Sequence, residues 1–158
     1  MLSEISKKNK IKQFVHTSSL GIDGVKDSKY ATSKQEGEKR VRENFENAVI
    51  IKPSIVYSVD DNFTTRFMTL LNRSPIMPLY YEGKTKFAPI HVSDLANIIF
   101  NIIDQNIQSS TIECTGPEIL SFKDIINQLL NSINKKRLLI PVSLSFAKLS
   151  ATILQMFP

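Results

Sequence analysis

An α/β fold with parallel strands is predicted by three features: a short apolar run that ends in serines, a helix-forming stretch after it, and a second apolar run closed by proline. The first run is Phe14-Val15 within Lys12-Gln13-Phe14-Val15-His16. Thr17-Ser18-Ser19-Leu20-Gly21 follows, as when a buried strand passes into a loop. From Lys29 to Phe45 the residues favour a helix, with Asp27 or Ser28 at the cap position and Tyr30, Ala31, Val41 and Phe45 forming a sparse apolar face. Ala48-Val49-Ile50-Ile51 supplies the second strand, and Pro53 stops it because proline cannot donate to a ladder. Two short strands flanking a helix are best built as parallel neighbours in an α/β sheet.

Further along, Asp60-Asp61 stands ready to cap a helix in which Phe63, Phe67, Leu70 and Leu71 recur on one face until Pro75. Pro75 to Gly83 reads as a proline-rich loop too apolar for open solvent, so it is expected to cross the core or line a cleft. Ser93 is placed to cap an amphipathic helix with Leu95, Ile98, Ile99, Ile102 and Ile103 inward. Thr111 to Thr115 alternates like a strand, and Gly116-Pro117 turns the chain. Ser121 and Asp124 have capping-box spacing before a helix that buries Phe122, Ile125, Ile126, Leu129, Leu130 and Ile133. A last amphipathic helix is expected over Leu144–Met156, and only about four strands are legible, few for a doubly wound sheet.

Composition narrows the function classes. With 158 residues and 42% hydrophobic side chains, the chain suits one globular domain. The single Cys114 excludes an internal disulfide and fits a compartment where thiols stay reduced, cytoplasmic or matrix. Met1 to Lys12 is polar and lysine-rich, and no run of about 18 apolar residues occurs, so neither a signal peptide nor a membrane span is expected. The net charge of +5 is spread along the chain with no basic-aromatic platform, which argues against nucleic acid as a partner.

The strongest chemical signal is Tyr30-Ala31-Thr32-Ser33-Lys34, because helix residues four apart project into the same cleft. A phenol with its ordinary pKa of about 10 is a poor base at neutral pH, whereas an ammonium beside it favours the phenolate. Tyr30 is thereby a candidate to exchange a proton with a substrate hydroxyl or carbonyl. Tyr80 and Lys84 share the spacing by chance. Gly83 between them and a loop context separate that pair from Tyr30 and Lys34, which begin a helix after a strand ending in serines.

Phe14-Val15-His16-Thr17-Ser18-Ser19, Tyr30 with Lys34, Gly37-Glu38 and Ile51-Lys52-Pro53-Ser54-Ile55-Val56-Tyr57 stand in a telling order. They resemble the serine, tyrosine-lysine and proline segments of extended short-chain dehydrogenase/reductases, the NAD-dependent epimerase/dehydratase superfamily. Pro89 to Ala96 is similar to the motif that begins a helix in the substrate region of those proteins. His16 to Asp23, Ser28 to Lys34, Thr115 to Phe122 and Lys136 to Pro141 resemble most the atypical subgroup containing the 39 kDa accessory subunit of respiratory complex I. The likeness covers nearly the whole chain.

The resemblance implies the C-terminal part of a Rossmann-like parallel sheet plus a smaller helical substrate-side region, with the N-terminal βαβ half missing. Residues 1–158 would form a single truncated domain, 1–58 being the second half of the dinucleotide-binding sheet and 59–158 the substrate and C-terminal region. Tyr30 would be the acid/base and Lys34 the ribose-binding residue. Ser19 would orient the substrate by register, or Ser18 if the register slips, and Pro53, Ser54, Ile55 and Val56 would face the nicotinamide. Plainer roles compete: Ser18 and Ser19 also suit the satisfaction of backbone groups at a strand end. His91 reads as an interior hydrogen-bonding residue rather than a metal ligand, since no second His or Cys stands at ligand spacing, and Asp94 reads as a brace of its own helix.

A dinucleotide fold starts with a strand, a glycine-rich loop and a helix whose amino end faces the pyrophosphate. Gly21 and Gly24 are an isolated pair after the wrong strand, and five glycines in all leave no alternative. The intact protein is therefore expected to bind NADP or NAD, this chain weakly or not at all. Absent inner strands would leave Phe14, Val15, Val49 and Ile51 partly exposed and favour self-association. The expected setting is respiratory complex I, peripheral to its membrane, with turnover left open. An active sugar-nucleotide epimerase, dehydratase or reductase is the second expectation, and an interaction module the third.

Overall fold

The computed structural model describes residues 2–142. Their elements are, in order, α1 (Leu2–Lys8), β1 (Val15–Thr17), α2 (Lys29–Asn44), β2 (Val49–Pro53), β3 (Val56–Tyr57), α3 (Thr64–Arg73), β4 (Ile76–Tyr80), β5 (Lys86–Phe87), β6 (Ile90–His91), α4 (Val92–Asp104), β7 (Thr111–Cys114), β8 (Leu120–Ser121), α5 (Phe122–Ser132) and β9 (Leu138–Val142). The chain gathers into two units. Among the described residues, one comprises those from Leu2 to Val56 with Pro89–Pro117; the other comprises Tyr57–Ala88 with those from Glu118 to Val142.

The first unit is built on a parallel sheet of order β1-β2-β7. β1 and β2 pair in register Val15↔Val49, His16↔Ile50 and Thr17↔Ile51, the strand-helix-strand unit that the sequence predicts. Ser28 starts α2 as a true cap: its backbone is extended and its hydroxyl accepts the Ala31 N–H at 3.3 Å. β2 is central, and every one of its residues is buried. Val49 and Ile51 join Leu95 and Ile102 of α4, Ile90 and Cys114 in one apolar cluster.

The expectation of partial exposure is therefore corrected for Val49 and Ile51, both 0% exposed, and holds only for the half-buried Val15 on outer strand β1 and Phe14 just before it. Neighbouring strands on both sides and α4 on one face already complete the surroundings of β2. Gln13 ties the entry of β1 to the end of α4, donating to the carbonyls of Ile102 and Ile107 at 2.9 and 3.0 Å. α4 itself begins two residues earlier than expected. Its cap is His91, whose Nδ1 accepts the Ser93 N–H at 3.3 Å, so Ser93 lies inside the first turn. Ile103 faces outward at 54% exposure, off the stripe of Leu95, Ile98, Ile99 and Ile102.

In the second unit Asp61 serves α3, its carboxylate accepting the N–H groups of Phe63 and Thr64 at 2.6 Å each. Leu70 is 42% exposed and stands outside the apolar cluster, to which α3 contributes Phe67 and Leu71. The expected loop over Pro75–Gly83 is corrected: Ile76–Tyr80 is a strand, paired in parallel with β9 from Ile76↔Leu138 to Tyr80↔Val142. Alternation makes it so, Met77 and Leu79 being buried while Ile76 and Tyr80 are exposed. Pro78 is tolerated because β4 has a partner on one side only among the described residues.

The Ser121 and Asp124 capping box of α5 is complete in both directions. Ile126 and Leu130 of that helix pack with Leu71, Met77 and Leu79 into a second apolar cluster. Two-residue strands such as β5 and β8 fall below the window in which alternation can be read, which explains why few strands were legible. The helix expected at Leu144–Met156 lies outside the described residues.

Candidate functional site

β1 and β2 run parallel, so their carboxyl ends lie side by side, and the ladder continues past the strands. Ser18 N–H donates to the Ile51 carbonyl at 2.8 Å and Leu20 N–H to the Pro53 carbonyl at 2.9 Å. Ser54 N–H in turn donates to the Cys114 carbonyl at 3.0 Å. The serine segment and the Pro53–Val56 segment thus leave neighbouring strand ends. Pro53 is buried, and Ser54, Ile55 and Val56 are half-buried.

α2 brings its residues to the same place. Lys34 Nζ donates to the Thr17 carbonyl at 3.4 Å and stands 5.9 Å from the centre of the Tyr30 ring. Tyr30 is 59% exposed, so it belongs to the solvent side of the helix rather than to its apolar face. Tyr80 and Lys84 have no such setting: a tight turn over Tyr81–Gly83 separates them, and Lys84 pairs with Glu82.

The two serines differ. Ser18 is buried and its hydroxyl donates to Glu38 Oε1. Ser19 is half-buried, and its hydroxyl makes only a long 3.4 Å contact to the Leu20 carbonyl. Behind Ser18 lies a charge cluster: Lys52 Nζ is 3.3 Å from Glu38 Oε2 and 2.7 and 3.0 Å from the carboxylate oxygens of Asp23. Burial opposes the Lys52 ammonium, yet the hydrogen bond to Asp23 and the charge of Glu38 outweigh it and hold its pKa above the ordinary value.

Lys52, Asp23 and Glu38 lie outside the residues that the sequence singles out for chemistry. The signal was present. A lysine inside the apolar strand Val49-Ile50-Ile51-Lys52-Pro53 demands a carboxylate, and Glu38 follows Lys34 by the same four-residue step that separates Lys34 from Tyr30.

An open depression of about 490 Å³ lies along Lys26, Asp27, Lys29, Thr32, Ser33 and Glu36. It includes none of Ser18, Ser19, Tyr30 or Lys34, and so is separate from the candidate site.

Residues 27–152 match the RmlD substrate binding domain. The chain belongs to that family, within the extended short-chain dehydrogenase/reductases. Among its relatives is NADH dehydrogenase (ubiquinone) 1 alpha subcomplex subunit 9, mitochondrial, of Dictyostelium discoideum, 28% identical over 149 residues that cover 93% of this chain and 41% of that protein. A ceramide reductase of Caulobacter vibrioides is 36% identical over 84 residues, 53% of this chain and 26% of the other. Among solved structures, a double mutant of the dTDP-glucose 4,6-dehydratase from Streptomyces venezuelae, with NAD bound, superposes at a TM-score of 0.74 with 18% identity, over 90% of this chain and 51% of that one. The chain therefore spans well under two thirds of each of these proteins, and the structural likeness shows their α/β fold.

Proposed function

We propose that this chain carries the nicotinamide-side half of an NAD or NADP site in an extended short-chain dehydrogenase/reductase whose setting is respiratory complex I. What supports the reading is that Lys34 reaches the Thr17 carbonyl and stands 5.9 Å from the Tyr30 ring, while the serine segment and Pro53–Val56 leave the carboxyl ends of two parallel strands, the end at which open α/β sheets hold their ligands. Lys34 fits a ribose, because its contact to the Thr17 carbonyl uses one of three ammonium donors. The nicotinamide, when bound, would supply hydride chemistry. Tyr30 would exchange a proton with the substrate oxygen, and Ser19 would orient that oxygen, since the Ser18 hydroxyl is already committed to Glu38. The relatives named as mitochondrial complex I subunits support a place in the matrix, peripheral to the respiratory membrane. Among the described residues no helix is long and apolar enough to cross a membrane.

Saturation-transfer NMR with millimolar NADPH tests this. Protons of the nicotinamide and its ribose should receive more magnetisation than those of adenine, and Lys34→Ala should remove the difference. Transfer dominated by adenine, or unchanged in Lys34→Ala, sinks the reading. A second reading, a carbonyl reductase that turns over, draws support from the ceramide reductase relative. NADPH oxidation by a carbonyl substrate, abolished in Tyr30→Phe, would favour it.

A further inference from the structure

α2 has little apolar surface with which to hold its place. Of its 16 residues only Ala31 and Val41 are buried, and apolar contact is in any case non-directional. A helix so seated is free, as far as packing goes, to rotate or slide. Between Ala31 and Val41 its contacts are polar. Glu38, with a side chain 17% exposed, meets Lys52, which projects from the central strand at 6% exposure, and accepts the hydroxyl of Ser18. Asp23 also reaches Lys52, but its side chain is 69% exposed and water weakens its share. Lys52 lies almost wholly out of solvent, so displacing Glu38 would leave its buried charge with the exposed Asp23 carboxylate alone.

We propose that Glu38, through its pairing with Lys52, is the positioning residue of the site, setting the rotation and axial register of α2 and so where Tyr30 and Lys34 stand against Ser19. Tyr30, Lys34 and Glu38 follow one another at four-residue steps along a single helix line, each step about 6 Å. Anchoring the last therefore aims the first two. Of the other ties, Gln35 donates to the Ile22 and Val25 carbonyls of the loop before the helix, the Lys34 contact to Thr17 is a long 3.4 Å, and Arg42 reaches Thr111 through a long exposed side chain at the far end; none of these fixes the helix to the buried central strand as Glu38 does. The functional meaning rests on the dinucleotide-site reading above, but the geometry is testable without any ligand.

The test replaces both charges at once in the full chain, Glu38→Leu with Lys52→Met, because exchanging a buried pair for apolar residues of similar size commonly leaves a fold intact. The expected result is a thermal midpoint equal to or above that of the parent, together with shifted or doubled amide NMR signals over Tyr30–Lys34 and Thr17–Leu20 and loss of the Lys34–Thr17 proximity signal. Asp23→Asn serves as the control and should perturb its own loop while leaving the Tyr30 signals in place. A folded double variant with unchanged Tyr30–Lys34 signals overturns the proposal. So does a double variant that fails to fold, since the pair would then hold the fold rather than the register. Neither outcome depends on NADPH, so failure of the saturation-transfer experiment is distinguishable from failure here.

Discussion

His16 sits on β1 with its Nε2 buried and no hydrogen-bond partner, beneath the helix that carries Lys34 and Glu38. Burial first, and the Lys34 charge second, hold its pKa below the ordinary value, with Glu38 opposing. The folded imidazole thus stays neutral where the unfolded one, near its ordinary value of about 6.5, takes up a proton. Its contribution to stability is complete above that value and is lost as pH falls toward the lower folded value. Thermal midpoints should drop between pH 7 and pH 5 more steeply in the parent than in His16→Phe, and parallel slopes would refute the assignment. Asp61 and Asp124, whose carboxyls are held below the ordinary 3.8, act in a separate, more acidic window. Gly116 is constrained differently, since a Cβ there would lie 1.8 Å from the Pro89 carbonyl oxygen. Gly116→Ala must push the end of β7 off that backbone and should cost about 2 to 3 kcal/mol in urea unfolding.

At the scale of elements, starts were more legible than strands. Ser28 and Ser121 cap α2 and α5, and Asp61, two residues before the Phe63 cap position of α3, takes the N–H groups of Phe63 and Thr64, because each is a local exchange between one oxygen and the N–H groups two or three residues on. Ser121→Ala removes the side-chain half of the box on α5, leaving only the backbone N–H at that position to the Asp124 carboxylate, and should lower unfolding stability by about 1 kcal/mol. A variant within a few tenths of the parent would show that the exposed box adds nothing. β4 escaped notice for a non-local reason: its prolines read as loop, and its alternation becomes a strand only when β9, some sixty residues later, supplies the pairing.

For the whole molecule, the balance of binding terms decides what the chain can hold. A dinucleotide draws much of its affinity from a pyrophosphate on glycine-loop amides and a helix amino terminus, whereas this sequence offers Lys34 and the strand ends. Hydrogen bonds to a charged group are worth about 1.5 to 3 kcal/mol, against about 4 to 15 kcal/mol for the freedom lost on association. Calorimetric titration of this chain with NADPH should therefore give no saturation in the micromolar range. A low-micromolar dissociation constant would require a phosphate site of its own, with Ser18, Gly21 and Gly24 the first residues to test.

What the sequence determined by itself was whatever a local period or a short spacing encodes: the strand-helix-strand order, the caps, the apolar stripe of α4, and the pairing of Tyr30 with Lys34 on one helix line. Tertiary structure decided the rest. It made β2 the covered centre of its sheet, turned Ser18 inward to Glu38 while leaving Ser19 at the strand end, and closed Lys52 between carboxylates from a loop and a helix. The reason is physical: hydrogen-bonded caps and helix faces depend on neighbours a few positions away, whereas burial, strand partners and the pairing of a buried charge depend on which distant segments the fold brings into contact.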